Sequence, residues 1–249
     1  MAEALGAKGR PAEATETRSL DLGLNALVFC AGAGSLATEI GAARLLAPYY
    51  GSSTIVWANV IGLVLASLSL GYWLGGRVAD RRPSTRVLGG IVLAGAVLVA
   101  AVPFAAKPFL DVSVKGLDQV SAGAAIGSFF AVLVLFAPPV TLLGMTAPFA
   151  VRLAISDVRD AGSVAGRLYA LSTVGSLLGT FLSALVLIPT IGTQRTLLGA
   201  AALVALPGAA LLGRRWLVVA AALGALLAVP PGAVRAEPGL IYEQESRYH

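Results

Sequence analysis

Long apolar runs separated by short clusters of charge make up most of this chain. Seven runs, Leu22–Thr38, Leu45–Gly76, Val87–Ala106, Gln119–Val151, Leu168–Gln194, Thr196–Gly213 and Trp216–Val234, contain no Asp, Glu, Lys or Arg. Roughly 20 apolar residues cross a hydrocarbon core about 30 Å thick, and most of the runs reach that length. The pattern predicts an all-α, polytopic membrane bundle of about seven transmembrane helices, at about 24–47, 55–76, 87–106, 120–151, 166–188, 196–213 and 216–230. Lipid offers no partner to open backbone groups, so spans are helices or closed barrels, and the short alternating strands of a barrel are absent from the sequence.

Punctuation sharpens the boundaries. Pro48 is expected to follow the first helix, Gly75-Gly76 to close the second, and Pro189 with Gly192 to close the fifth. The fourth run holds 33 charge-free residues, which would make a helix of about 50 Å at about 1.5 Å per residue. Pro138-Pro139 and Pro148 must bend it. A span to about Ala137 with a kinked continuation toward Arg152 is expected. Freed backbone groups in such a segment need protein neighbours, which places Pro138–Pro148 in the interior.

Composition agrees. Apolar residues make up 57% of the 249 and charged residues 12%, against about 25% charged in soluble domains, and the mean hydropathy is +0.83. The net charge of +5 does not indicate nucleic acid, because Arg and Lys sit between apolar runs. With the N-terminus inside, twelve of the 18 basic residues fall in cytoplasmic segments, among them Arg77, Arg81, Arg82, Arg86, Arg152, Arg159, Arg167, Arg214 and Arg215. The positive-inside rule therefore orients the chain in a bacterial inner membrane, with the lipid bilayer as its first partner. Three segments are expected: a mobile tail at 1–20, the membrane domain at 21–232 and a C-terminal tail at 233–249. Cys30 is the single cysteine and His249 the single histidine, so no disulfide, histidine catalysis, cofactor site or thiolate metal site is expected.

An internal echo appears at an offset of 141. Gly34-Ser35-Leu36 recurs as Gly175-Ser176-Leu177, and Pro48, Gly51 and Ser52 align with Pro189, Gly192 and Thr193. Transporter folds often contain repeats and bind at the repeat interface.

Three residues are candidates for an intramembrane polar site: Glu39, Arg44 and Thr146. A carboxylate at Glu39's depth costs about 2.5–3.5 kcal/mol on insertion scales, so it should face the bundle and find a partner. Arg44 lies about 140° round the helix from it, a poor intrahelical pairing, so partners should come from other helices. Gly32, Ser35, Glu39 and Ala42 form a small-and-polar stripe that favours close helix approach. Two roles stay open for Glu39, an interhelical clamp and a ligand- or proton-binding group.

The stretch Gly71-Tyr72-Trp73-Leu74-Gly75-Gly76-Arg77-Val78-Ala79-Asp80-Arg81-Arg82 resembles the cytoplasmic loop motif of the major facilitator superfamily. Gly75, Asp80 and Arg81 are its candidate residues, with Asp80 capping the third helix or pairing with Arg. A closer resemblance is to the membrane region of bacterial membrane-fused spermidine synthases. It is carried by Glu39–Gly51, Trp57, Gly71–Arg82, Leu143-Gly144-Met145-Thr146-Ala147-Pro148, Gly166–Ser176 and Leu187–Thr193. Leu240–His249 looks like the lead-in to that family's aminopropyltransferase domain. No position here matches the family's catalytic or cofactor residues, so this chain is expected to be non-catalytic, as a piece of a longer protein or a separate membrane subunit.

The resemblance implies a membrane module of a spermidine-synthase-like protein, for anchoring or substrate passage, with a synthase-like domain or other membrane subunits as partners. The residues also support two alternatives: a transporter or half-transporter for a small solute, such as a polyamine, and a scaffold subunit of a membrane complex.

Overall fold

The computed structural model describes residues 11–117, 122–155 and 157–229, with backbone alone at 11–21 and 117. The chain is a helical bundle. Its helices are α1 (Pro11–Tyr50), α2 (Thr54–Arg81), α3 (Thr85–Leu117), α4 (Gly123–Ala131), α5 (Ala137–Gly144), α6 (Thr146–Ala154), α7 (Ala161–Leu182), α8 (Ile188–Leu212) and α9 (Leu217–Ala225). Five continuous stretches are long and apolar enough to cross a membrane: Leu22–Tyr50, Thr54–Arg81, Thr85–Gly116, Gly123–Ala154 and Val158–Leu212. The last is two spans. Gly192, at φ 84°, breaks it. Gly175 and Gly179 of α7 pack on Phe29 and Ala33 of α1 in parallel order, whereas Gly23, Gly34 and Gly41 of α1 meet Leu211, Val204 and Leu197 of α8 in antiparallel order. The chain therefore reverses between α7 and α8.

The seventh expected helix is not a span within the described residues. α9 has 9 residues and a single tight turn, Leu226–Ala228, follows it. With the turn Arg214–Trp216 that runs into α9, the helical run covers about 25 Å at about 1.5–2 Å per residue, short of a hydrocarbon core of about 30 Å. It folds back along α8, bringing Leu227 to Gly199. The side of the membrane reached by the tail at 233–249 lies outside the described residues.

The sequence boundaries needed further correction. Pro48 does not end the first helix; it lies inside α1, which stops at Gly51, with φ 76°. Gly75 and Gly76 do not close the second helix either. α2 continues to Arg81, and Arg82 leaves the helical conformation because Pro83 disfavours helical backbone before it. The helical backbone of α1 starts at Pro11, inside the segment expected to be a tail.

The fourth span keeps its helix through Pro138 and Pro139 by a local widening. Val132–Phe136 forms a π-turn in which the Ala137 N–H donates to Val132 O. A proline ring clashes with the carbonyl four residues back, and an extra residue in the preceding turn moves that carbonyl aside. The same device recurs at Ser183–Leu187, where the Ile188 N–H donates to Ser183 O just before Pro189. The expected interior placement of this segment holds for Pro139, Val140, Leu143 and Gly144, while Pro138 points outward.

The echo at offset 141 marks a shared way of ending a helix. Gly51 and Gly192, its aligned glycines, both take positive φ, 76° and 84°, a conformation that costs side-chain-bearing residues most.

Candidate functional site

Close backbone approach sets the site. A Cβ at Gly175 would meet the Phe29 carbonyl, one at Gly32 the Ser172 carbonyl, and one at Gly75 would come 2.6 Å from Met145 O. Gly71 meets Thr141 and Gly144 in the same way. Glycine at these positions brings α1 onto α7 and α2 onto α5 and α6 with no side chains between.

Where these four walls meet, a small cavity remains, with about 50 Å³ of room for water-sized groups. Its polar lining is made of hydroxyls: Ser35 on α1, Tyr72 on α2, Thr146 on α6, and Ser172 and Ser176 on α7. Ser35 lies 13 residues from Leu22 and 15 from Tyr50, at the middle of its span. Tyr72 is half exposed and stands at the rim.

Two of these hydroxyls are anomalous. Several Ser and Thr side chains in the spans bond the carbonyl four residues back: Thr38 Oγ1 donates to Gly34 O (2.7 Å), Ser67 Oγ to Leu63 O (2.6 Å), Thr180 Oγ1 to Ser176 O (2.9 Å) and Thr196 Oγ1 to Gly192 O (2.9 Å). That local bond is the default for a hydroxyl in a membrane helix. Ser35 Oγ and Thr146 Oγ1 make no hydrogen bond, although their residues are only 5% and 1% exposed. Among the described residues four buried side-chain polar atoms lack a partner, the others being Asn25 Oδ1 and Arg195 Nε. An unpaired buried hydroxyl costs about 1–3 kcal/mol, and two of the four such atoms line one cavity.

The three sequence candidates separate. Thr146 lines the cavity. Glu39 is half-buried one helical turn beyond Ser35 on the same face of α1, and among the described residues it forms no ion pair. Arg44 is half-buried further toward the end of α1, has contacts of its own, and does not line the cavity.

The loop motif meets one of the two expectations for Asp80, pairing with Arg, and not the other. Gly75, Asp80 and Arg81 all lie within α2, so Asp80 does not cap α3. It accepts from Arg152 Nε at 3.3 Å, with both side chains largely exposed, and Arg77 stacks on Trp73 with 3.9 Å to the ring centre. The contacts Gly75–Met145 and Asp80–Arg152 bind α2 to α6 along the basic end of the bundle. Ser35 had been placed only in a packing stripe, and Tyr72, Ser172 and Ser176 only within motifs. Their convergence is tertiary, and no spacing along the chain announces it.

This architecture defines a multi-pass helical membrane protein with a small cavity between its helices that carries several hydroxyls. Comparison with protein-family models, curated proteins and solved structures finds no match to this chain.

Proposed function

We propose that this chain is a solute-handling membrane module of the bacterial inner membrane, of the kind found in spermidine-synthase-like proteins, and that it serves substrate passage rather than anchoring alone. One observation carries the reading. Three stretches far apart in sequence, Gly71–Arg82, Leu143–Pro148 and Gly166–Ser176, supply Tyr72, Thr146, Ser172 and Ser176 to a single cavity. An anchor needs only apolar packing, and two unpaired hydroxyls in its centre would be a cost without return. The major-facilitator-like elements of α2 fit the same reading, since its glycines seat the cavity wall on α5 and α6.

Reconstitution into proteoliposomes tests it. Uptake of a labelled small polyamine or other small polar solute above that of empty vesicles, reduced several-fold by Thr146→Val, is the expected result. Uptake equal to empty vesicles across the solute panel contradicts passage and returns the module to an anchoring role.

A further inference from the structure

The basic end of α2 carries a charge cluster in which the cavity has no part. Arg77, Arg81, Arg82 and Arg86 lie exposed within ten residues, in the last turns of α2 and the first of α3. Asp80 is the one carboxylate in that stretch, and Arg152 of α6 already holds it at 3.3 Å. Asp157, in the loop after α6, accepts from the Arg159 N–H. Among the described residues the four arginines form no ion pair.

Residue type and placement narrow the partner. Orienting a membrane protein needs only positive charge, and lysine serves as well as arginine. Every basic side chain described at this end is an arginine, whereas the described lysines, Lys107 and Lys115, stand at the other end. Arginine presents a planar fork of donors that matches phosphate oxygens two at a time, and lysine presents a point charge. Leu70, Trp73, Arg77 and Arg81 follow one another at helical spacing on one exposed face of α2. Arg77 sits over the Trp73 ring, 3.9 Å from its centre, which holds the guanidinium at the interfacial level that tryptophan favours. Toward mid-span the same face is smooth. Gly62 and Ala66 are exposed there, and nothing lies within 4 Å of a Cβ at Gly62.

We infer that this face of α2 binds an anionic phospholipid from the leaflet at the basic end, its phosphate held by Arg77 and Arg81 and one acyl chain laid along Leu70, Ala66 and Gly62. A zwitterionic lipid brings a cationic group to the same arginines and is disfavoured. The site is separate from the cavity, and it stands whether or not any solute is moved.

The test reads Trp73 in the full chain. With Trp57→Phe and Trp216→Phe in place, the protein is reconstituted into vesicles of equal parts phosphatidylglycerol and phosphatidylcholine, brominated on the acyl chains of one lipid or the other. Brominated phosphatidylglycerol should quench Trp73 more strongly, with a relative association constant of about five or more, the factor that one arginine gives near an anionic surface. Arg77→Gln with Arg81→Gln should bring the ratio to about one. Arg77→Lys with Arg81→Lys keeps the charge and loses the fork, and should lower the ratio by about half or more. Equal quenching by the two lipids overturns the assignment. So does an undiminished ratio in the lysine variant, which leaves only diffuse charge attraction. Loss of the preference on adding inorganic phosphate at constant ionic strength assigns the arginines to a soluble anion and overturns the lipid. Should the single-tryptophan chain fail to fold, native mass spectrometry of the unsubstituted chain beside Arg77→Gln reads the same preference: phosphatidylglycerol enriched on the first alone is expected, and equal retention overturns the site.

Discussion

The seam of α3 with α8 and the seam of α1 and α2 with α5, α6 and α7 are built alike and end differently. Both rely on glycine at the crossing. On the first, a Cβ at Gly89 would come 2.8 Å from Gly208 O, Gly208 packs on Val92, and Leu88, Val92, Leu198 and Ala201 are buried. On the second, glycines again bring backbones together, but the residues beside them are Ser35, Thr146, Ser172 and Ser176, and a void stays open. The clearest contrast is a pair of threonines, both 1% exposed. Thr196 closes its own hydrogen bond to Gly192 O, and Thr146 closes none. Close approach thus produces a closely packed joint where the flanking residues are apolar and leaves a void where they carry hydroxyls.

The largest effect should come from the crossings. Gly179→Leu drives a side chain into the Ala33 backbone, which cannot yield as a flexible side chain can. A loss above about 3 kcal/mol is expected, read as loss of a monodisperse peak in detergent. Gly76→Leu is the control: nothing lies within 4 Å of a Cβ there, and the change should stay within about 0.5 kcal/mol.

The two threonines give the next largest effect, and its sign matters. Thr196→Val should destabilise by about 0.5–1.5 kcal/mol through loss of a made hydrogen bond. Thr146→Val should be neutral or stabilising by up to about 1 kcal/mol, because it removes an unpaired hydroxyl. Thermal unfolding of both variants side by side checks this, and equal destabilisation would erase the distinction between the two seams.

Asp80→Asn should do least. Its bridge to Arg152 is exposed on both sides, and exposed pairs contribute between nothing and about 1 kcal/mol. A shift within about 0.5 kcal/mol in the same assay is expected.

The long helices were legible because the bilayer imposes a single rule on long apolar runs, and those long and apolar enough to cross a membrane stand close to where the sequence puts them. The segment at 216–230 is harder to read, because hydropathy records greasiness, not length of helix: among the described residues its helical run is α9 with a tight turn on either side, Arg214–Ala228 in all. The exit of α2 was misread at Gly75-Gly76 because a glycine pair ends helices in water, whereas here Gly75 is a packing surface against Met145. Thr146 and Glu39 were visible as polar atoms in apolar runs. Their environments were not, since whether a hydroxyl finds its own carbonyl or faces a void depends on helices distant in sequence.

The claim on which all this depends is that the space beside Ser35 and Thr146 holds something polar. An experimental structure in a lipid nanodisc, at a resolution that shows ordered water, tests it directly. The account predicts density within hydrogen-bond distance of both Ser35 Oγ and Thr146 Oγ1. Side chains packed across the space, with both hydroxyls turned onto the Ala31 and Leu142 carbonyls, would contradict it.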